Sequence, residues 1–228
     1  MTKETGAGVI AVDGPAGAGK STVARRLAAE LGFLYLDTGA MYRALALKAL
    51  HEGVDLRDEA ALASLLSDTT IDLYPAPEGR VRVIVDGADV TDHLRSPEVN
   101  ASVALVAGFA SVRSEMVSRQ RDMARQGAVV MDGRDIGTFV LPDAEVKFFL
   151  TASLEARSER RCQELTRLGY DVSLERIREE IQHRDLLDSS RPYAPLAMAE
   201  DAVLIDTTHM EVNEVVARML AICRHRLG

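Results

Sequence analysis

Eight residues near the start of the chain carry its most specific chemistry: Gly14-Pro15-Ala16-Gly17-Ala18-Gly19-Lys20-Ser21. They fit G-x-x-x-x-G-K-[ST], a loop whose backbone N–H groups cradle phosphate oxygens. Glycines at 14, 17 and 19 permit turns that a Cβ would forbid and bring the backbone close to a ligand. Those N–H groups, with Thr22 in the first turn of a following helix, make a concave site for anions. In that pattern Lys20 reaches the β- and γ-phosphates of a nucleoside triphosphate, and the Ser21 hydroxyl ligates Mg²⁺.

Four more groups of charge fall where such chemistry would use them. Asp37-Thr38-Gly39-Ala40-Met41-Tyr42-Arg43 and Asp132-Gly133-Arg134-Asp135 each follow a short apolar run, and open α/β sheets bind ligands just beyond strand C-termini. Arg157, Arg160 and Arg161 lie within about one helical turn of each other. Two readings stay open for them: closure over a triphosphate, where arginine's planar fork binds phosphate twice over, or a solvated face paired with Glu155, Glu159 and Glu164. Arg184, Asp188 and Arg191 are spaced four and three apart, so they line one face if their helix continues, a continuation that Pro192 limits. A phosphate loop, one lysine, Mg²⁺ and several arginines are the parts that phosphoryl transfer asks for. An acceptor phosphate is already an oxyanion, so no general base is needed, and His51, His93, His183, His209 and His225 read as structural or exposed.

The elements that must position these groups follow from periodicity. Val9–Val12 reads as a buried strand and Ser21–Leu31 as a helix, with Val23, Leu27 and Leu31 on one face. Phe33–Leu36 is a second strand, and Thr38 is the expected N-cap of a helix running to about His51. A short helix over Asp58–Leu66 precedes alternating runs at Ile71–Tyr74 and Val81–Val85, joined by a turn at Pro75–Gly79 and continued by Asp86–Asp89. This stretch breaks the strand–helix rhythm, so residues 68–98 read as an inserted antiparallel lobe. Helix is expected over Val99–Gln126 with a break near Gly108, then strands at Ala128–Asp132 and Val146–Leu150. Helices over Ala152–Leu168 and Leu174–Leu187, a last strand at Val203–Asp206 and a closing helix over Val212–Leu227 complete the chain. Alternating strands and helices imply a mainly parallel sheet covered on both faces: one three-layer α/β domain with an inserted small lobe and an arginine-rich flap at 154–170.

Composition narrows the class. The chain has 228 residues, 47% hydrophobic and 27% charged, which suits one full core. A net charge of −8 argues against nucleic acid as a partner. No apolar run approaches a membrane span, and the first residues lack the apolar core of a signal peptide, so a cytoplasmic protein is expected. Cys162 and Cys223 form neither a metal-ligand spacing nor a disulfide framework. No coiled-coil heptads appear, and a monomer is expected. Only four lysines occur, at 3, 20, 48 and 147, so the one inside the loop stands out.

Taken together, the loop at 14–21, the segment 37–43, Asp132-Gly133-Arg134-Asp135-Ile136-Gly137-Thr138, the flap Ser158-Glu159-Arg160-Arg161 and Arg184-Asp185-Leu186-Leu187-Asp188-Ser189-Ser190-Arg191 resemble the bacterial cytidylate kinases, in order and over nearly the whole chain. The resemblance implies a P-loop nucleoside monophosphate kinase fold and transfer of the ATP γ-phosphate to CMP or dCMP. It also implies roles. Thr38 and Arg43 would hold the CMP phosphate, with Arg134 bridging. Asp135 and Arg113 would read the cytosine edge, Arg184 and Asp188 the sugar, and Arg191 the phosphates. Arg157, Arg160 and Arg161 would close on ATP, and Asp37 would lie near the transferring phosphate and Mg²⁺, meeting the ion through water. Ala104 departs from the resemblance, since many such kinases place a base-contacting serine there. The same scaffold serves kinases for UMP, shikimate or gluconate, and a nucleotide-binding regulatory switch would also use the loop; an acceptor-dependent turnover separates these.

Overall fold

A computed structural model describes residues 8–76, 81–125 and 127–228. Its centre is a five-stranded parallel sheet in the order β2-β6-β1-β7-β8, from β1 Val9–Asp13, β2 Leu34–Asp37, β6 Val129–Asp132, β7 Val146–Thr151 and β8 Val203–Asp206. β1 is central because both its faces are apolar. Ile10 and Val12 pack with Val23 and Leu27 of α1 (Lys20–Leu31) and Met219 of α8 (Val212–Leu227), while Ala11 packs on the opposite face with Val117 of α5 (Ala110–Ala124) and Ile136. The two-residue alternation of a strand thus divides one short segment between two cores.

Register brings the strand ends together. Asp37 lies opposite Asp132, Val12 opposite Asp132, and Asp13 opposite Phe149. Three carboxylates therefore finish neighbouring strands at the edge from which the phosphate loop rises.

Between β2 and β6 the chain builds a separate antiparallel sheet of β3 (Ile71–Pro75), β4 (Val81–Val85) and β5 (Ala88–Asp89). Ile71, Val83 and Val85 are buried against Leu45 of α2 (Thr38–Glu52) and Leu62 and Leu66 of α3 (Glu59–Ser67). Most of the expected turn between its first two strands, like Gln126, lies outside the described residues. The helical stretch expected from 99 is two helices: α4 (Pro97–Val106), capped by Ser96, and α5, separated at Gly108 and Phe109. Helices α6 (Leu154–Arg167) and α7 (Leu174–Ser190) form a pair held by Leu165, Ile177 and Ile181. α7 runs three residues past Leu187, up to the residue before Arg191. Residues Ile136–Val140, for which no element was expected, form a single wide helical turn. Among the described residues no helix is long and apolar enough to cross a membrane.

Candidate active site

The loop between β1 and α1 has the backbone its glycines imply. Gly14 has φ 143°, and a Cβ there would lie 2.0 Å from the Leu150 carbonyl oxygen, so no other residue fits. Gly17 (φ 76°) rests against Arg157, with room for a Cβ only at 3.0 Å from that residue's own Cβ. Helix α1 starts at Lys20 with Gly19 as N-cap and no capping side chain, which leaves its first N–H groups free for a ligand. Lys20 is buried and its Nζ donates to the Pro15 carbonyl at 2.7 Å. Burial first, then the neighbouring Arg134 and Arg184, hold its ammonium well below the usual lysine range.

Beside it sits a residue whose function the sequence reading did not assign, Asp132. Its carboxylate accepts from Ser21 Oγ and from the Tyr35 hydroxyl, both at 2.8 Å. Burial, then the Asp37 charge, push its carboxyl up to about 6. The available signal was positional: like Asp13 and Asp37, it is an aspartate ending an apolar strand. Asp37, not Thr38, caps α2, accepting from the Ala40 N–H at 2.9 Å and from Arg43 Nη2 at 2.9 Å. Burial opposes its charge, yet Arg43 and then Arg95 keep its carboxyl below the usual range. Thr38 is the first residue inside the helix, so its buried hydroxyl is released from capping and donates to the Asp132 carbonyl at 2.7 Å.

A cleft of about 1820 Å³ opens over these groups. Its lining includes Ala16 to Thr22, Asp37, Arg43, Asp132, Arg134, Arg160, Arg161 and Arg184, and on the small-sheet side Arg95, Ala104 and Leu105. Two lining guanidinium groups each keep a buried Nε without a hydrogen-bond partner among the described residues, on Arg43 and Arg184. A buried N–H left unpaired is costly, and an anion in the cleft is the partner that would satisfy both. Burial, followed by Arg134, lowers the Arg184 pKa to about 10, a second sign of unbalanced positive charge.

The remaining expected residues form an alternating chain behind the wall. Arg113 pairs with Asp135 in the interior and donates to the Ala107 carbonyl, its guanidinium 5.6 Å from the centre of the Tyr42 ring. Asp135 also faces Arg191 Nη2 at 3.3 Å, while Arg191 Nε donates to the Ala194 carbonyl at 2.6 Å. Asp188 takes Arg134 Nε at 2.8 Å, Arg191 at 3.6 Å and Arg184 at 3.9 Å. Arg134 and Arg184 face the cleft; Arg113, Asp135, Asp188 and Arg191 do not line it.

The three arginines of α6 separate. Arg160 binds Thr207, donating to its carbonyl and hydroxyl, and Thr207 in turn donates to the Ala18 carbonyl of the loop. Arg161 pairs with Glu164 at 2.7 Å, and the other carboxylate oxygen takes Arg95 at 2.6 Å from across the cleft. Arg157 is buried beneath the loop instead of facing the cleft. Its Nη1 donates to the Ala16 carbonyl at 3.0 Å and to Asp185 at 2.5 Å, and Asp185 accepts the Ala16 N–H at 3.3 Å. Thus neither reading of the arginine cluster describes Arg157, which holds Ala16 of the loop from below together with Asp185. Ser102 donates to the Glu98 carbonyl and is not part of the lining, so it brings no hydroxyl to the place beside Ala104.

The half-buried Ser21 hydroxyl and the carboxylates of Asp37 and Asp132 supply oxygen donors of the kind Mg²⁺ takes. Among the described residues no three acidic, histidine or cysteine side chains gather as a metal cage. Mg²⁺ bound through one or two protein groups plus substrate phosphates needs none.

Comparison with known proteins bears on these groups. Residues 10–225 match the family model for cytidylate kinase. The chain is 57% identical to the cytidylate kinase of Geobacillus kaustophilus, covering 96% of this chain and 97% of that one. It is 55% identical to the cytidylate kinase of Desulforamulus reducens, covering 91% and 92%. Among solved structures, a gluconokinase from Sinorhizobium meliloti superposes with a TM-score of 0.50 at 15% identity, covering 96% of this chain and 94% of that chain. At that identity the likeness speaks for the fold alone.

Proposed function

The chain belongs to the cytidylate kinase family, and from that membership we propose how its cleft moves the γ-phosphate of ATP to CMP or dCMP. The observation that carries the reading is the convergence of Lys20, Arg43, Arg134 and Arg184 on one cleft, two of them with buried N–H groups unpaired. Transfer between two nucleotides must overcome the repulsion of their phosphates, and these cations supply the opposing charge.

In this account the loop from Gly14 to Ser21, with Thr22, binds the ATP phosphates, and Lys20 releases the Pro15 carbonyl to follow the transferring group. Arg160 and Arg161 on α6 close over the triphosphate, and residues 154–170 act as the lid. Arg157 serves ATP indirectly, through Ala16. Thr38 and Arg43 bind the CMP phosphate with the small lobe, residues 68–98, folded around it. Arg134 bridges donor and acceptor. Arg113 and Asp135 read the cytosine edge, and Arg184 and Asp188 the sugar. Arg191 reaches phosphate by exchanging its longer contacts, at 3.3 and 3.6 Å, for an oxygen of the nucleotide. Ser21 and Asp132 would hold Mg²⁺, with Asp37 through water, and the ion would supply charge neutralisation of the triphosphate. The enzyme works as a cytoplasmic monomer on small nucleotides, without nucleic acid or membrane.

Purified protein with ATP and Mg²⁺, offered CMP, dCMP, UMP, AMP and shikimate in parallel, tests the assignment. CMP and dCMP are expected to give the highest kcat/KM. Turnover of another acceptor with none of CMP would end it, and ADP release independent of any acceptor would point to a regulatory switch.

A further inference from the structure

We propose that Asp13, the last residue of β1, is a positioning residue that aims Arg134 and Asp135 by holding the backbone of their loop. Its two carboxylate oxygens accept the N–H groups of Ile136 at 2.8 Å and Gly137 at 2.7 Å, across more than 120 residues of chain. These N–H groups are the first two of the wide turn at Ile136–Val140, whose N-cap, Asp135, makes no side-chain cap of its own. A helical turn leaves its leading N–H groups without partners, and the usual remedy is the oxygen of the cap residue. Here the cap residue is engaged elsewhere, by Arg113 and Arg191. Asp13 performs the capping from a neighbouring strand, and so frees the Asp135 side chain for that other work.

The contact is tight on both sides. Gly137 has Asp13 Oδ2 at 3.4 Å and Lys147 Cδ at 3.1 Å from where a Cβ would stand, so the peptide is enclosed. Arg134 and Asp135 immediately precede the held peptides, and Gly14 of the phosphate loop immediately follows Asp13. One carboxylate therefore joins the loop assigned to the donor phosphates to the loop assigned to the acceptor. The group is kept at a cost: Asp13 is almost fully buried, and burial, despite the two N–H bonds, pushes its carboxyl up to about 7. A hydrophobic side chain would avoid that cost but could not hold the turn.

The inference rests on the acceptor roles proposed for Arg134 and Asp135, and its test distinguishes the two. Native protein, Asp13→Asn and Gly137→Ala are compared for KM and kcat with CMP and UMP, for KM with ATP, and for thermal unfolding. Asn keeps the shape but turns an NH₂ toward one of the two N–H groups; Gly137→Ala presses on the same contact from the other side. The expected result for Asp13→Asn is a KM for CMP raised about tenfold and a CMP-to-UMP preference reduced about tenfold, with KM for ATP within about twofold of native. Gly137→Ala is expected to move the same two quantities in the same direction, and carries the test if Asp13→Asn does not fold. Variants that melt earlier but keep the native CMP KM and the native preference would reduce Asp13 to a structural cap and overturn the inference. Equal losses toward ATP and CMP would overturn it as well. Failure of the native protein to prefer CMP would instead remove the reading on which it rests.

Discussion

Replacing Asp188 by asparagine should destabilise the ligand-free protein more than any single change on its surface. The carboxylate is 4% exposed and lies within 4 Å of three guanidinium groups, at 2.8, 3.6 and 3.9 Å. At such separations each charge pair amounts to about 4 kcal/mol with an effective dielectric constant of about 20. Most of that is offset by the cost of burying the carboxylate itself. The asymmetry appears on removal, because Arg134 and Arg184 cannot shed their protons and lose their paired carboxylate, while Arg191 is left with Asp135 alone. Breaking a buried pair in this way costs about 3–5 kcal/mol. For a chain of this size that lowers Tm by about 6–20 °C, at about 2–4 °C per kcal/mol. Thermal unfolding of native and Asp188→Asn protein, at pH 7 and low salt without nucleotide, reads this directly. Pyrophosphate should then raise the Tm of the variant more than that of native protein, since the anion replaces a missing negative charge. A loss below about 1 kcal/mol, or an equal response to pyrophosphate, would refute the reasoning that this carboxylate balances the cluster.

Other outcomes follow from the same geometry. Asp132→Asn should lower kcat by about 10²–10³ and raise the Mg²⁺ needed for half-maximal rate, with the fold retained; an unchanged Mg²⁺ titration contradicts the metal role proposed for it. Asp185→Ala, which removes the acceptor of the Ala16 N–H, should raise KM for ATP about tenfold in initial-rate assays, and a native value would show that the loop needs no support from α7. Lys20→Ala should abolish most turnover while leaving the unfolding midpoint near native, and retained kcat would remove Lys20 from the reaction. Stability should also depend on pH through two buried acids. The carboxyls of Asp13 and Asp132 rise from 3.8 to about 7 and about 6, so their stabilising contribution is complete below about pH 4 and is lost as pH climbs through 6 and 7. Asp188, held low by its arginines after burial is overcome, acts oppositely, contributing above about pH 4 and losing that contribution on acidification. Urea unfolding of the ligand-free protein should therefore give its largest free energy near about pH 5 and less by about pH 8, and a steady rise across that interval would count against it.

Much of the frame could be read along the chain because it rests on local signals. The spacing of Gly14, Gly17, Gly19, Lys20 and Ser21 states its own chemistry, and runs such as Val9–Val12 declare buried strands. The candidate site was legible where it consists of charges at strand ends. What escaped depends on which side of an element meets the rest of the molecule. Helical spacing grouped Arg157 with Arg161 but could not tell that α6 turns the first toward Ala16 and the second toward Glu164. Thr38 suited a cap by type; Asp37 takes that place because the helix begins one residue earlier. Asp13 and Asp132 are single letters at the ends of apolar runs, and their partners, Gly137, Ser21 and Tyr35, become neighbours only through the strand order. The turn at Ile136–Val140 left no periodic trace, being too short and held from another strand.

The grip of Arg157 and Asp185 on Ala16 has an evolutionary side. Asp185 shares α7 with Arg184 and Asp188, so the helix proposed to face one nucleotide also fastens the loop proposed to hold the other. Descendants that drift toward a different sugar or base by reshaping this helix would disturb their purchase on the triphosphate at the same stroke. Innovation in acceptor taste is easier to tolerate in the small antiparallel sheet, which none of these bonds tie to the cradle.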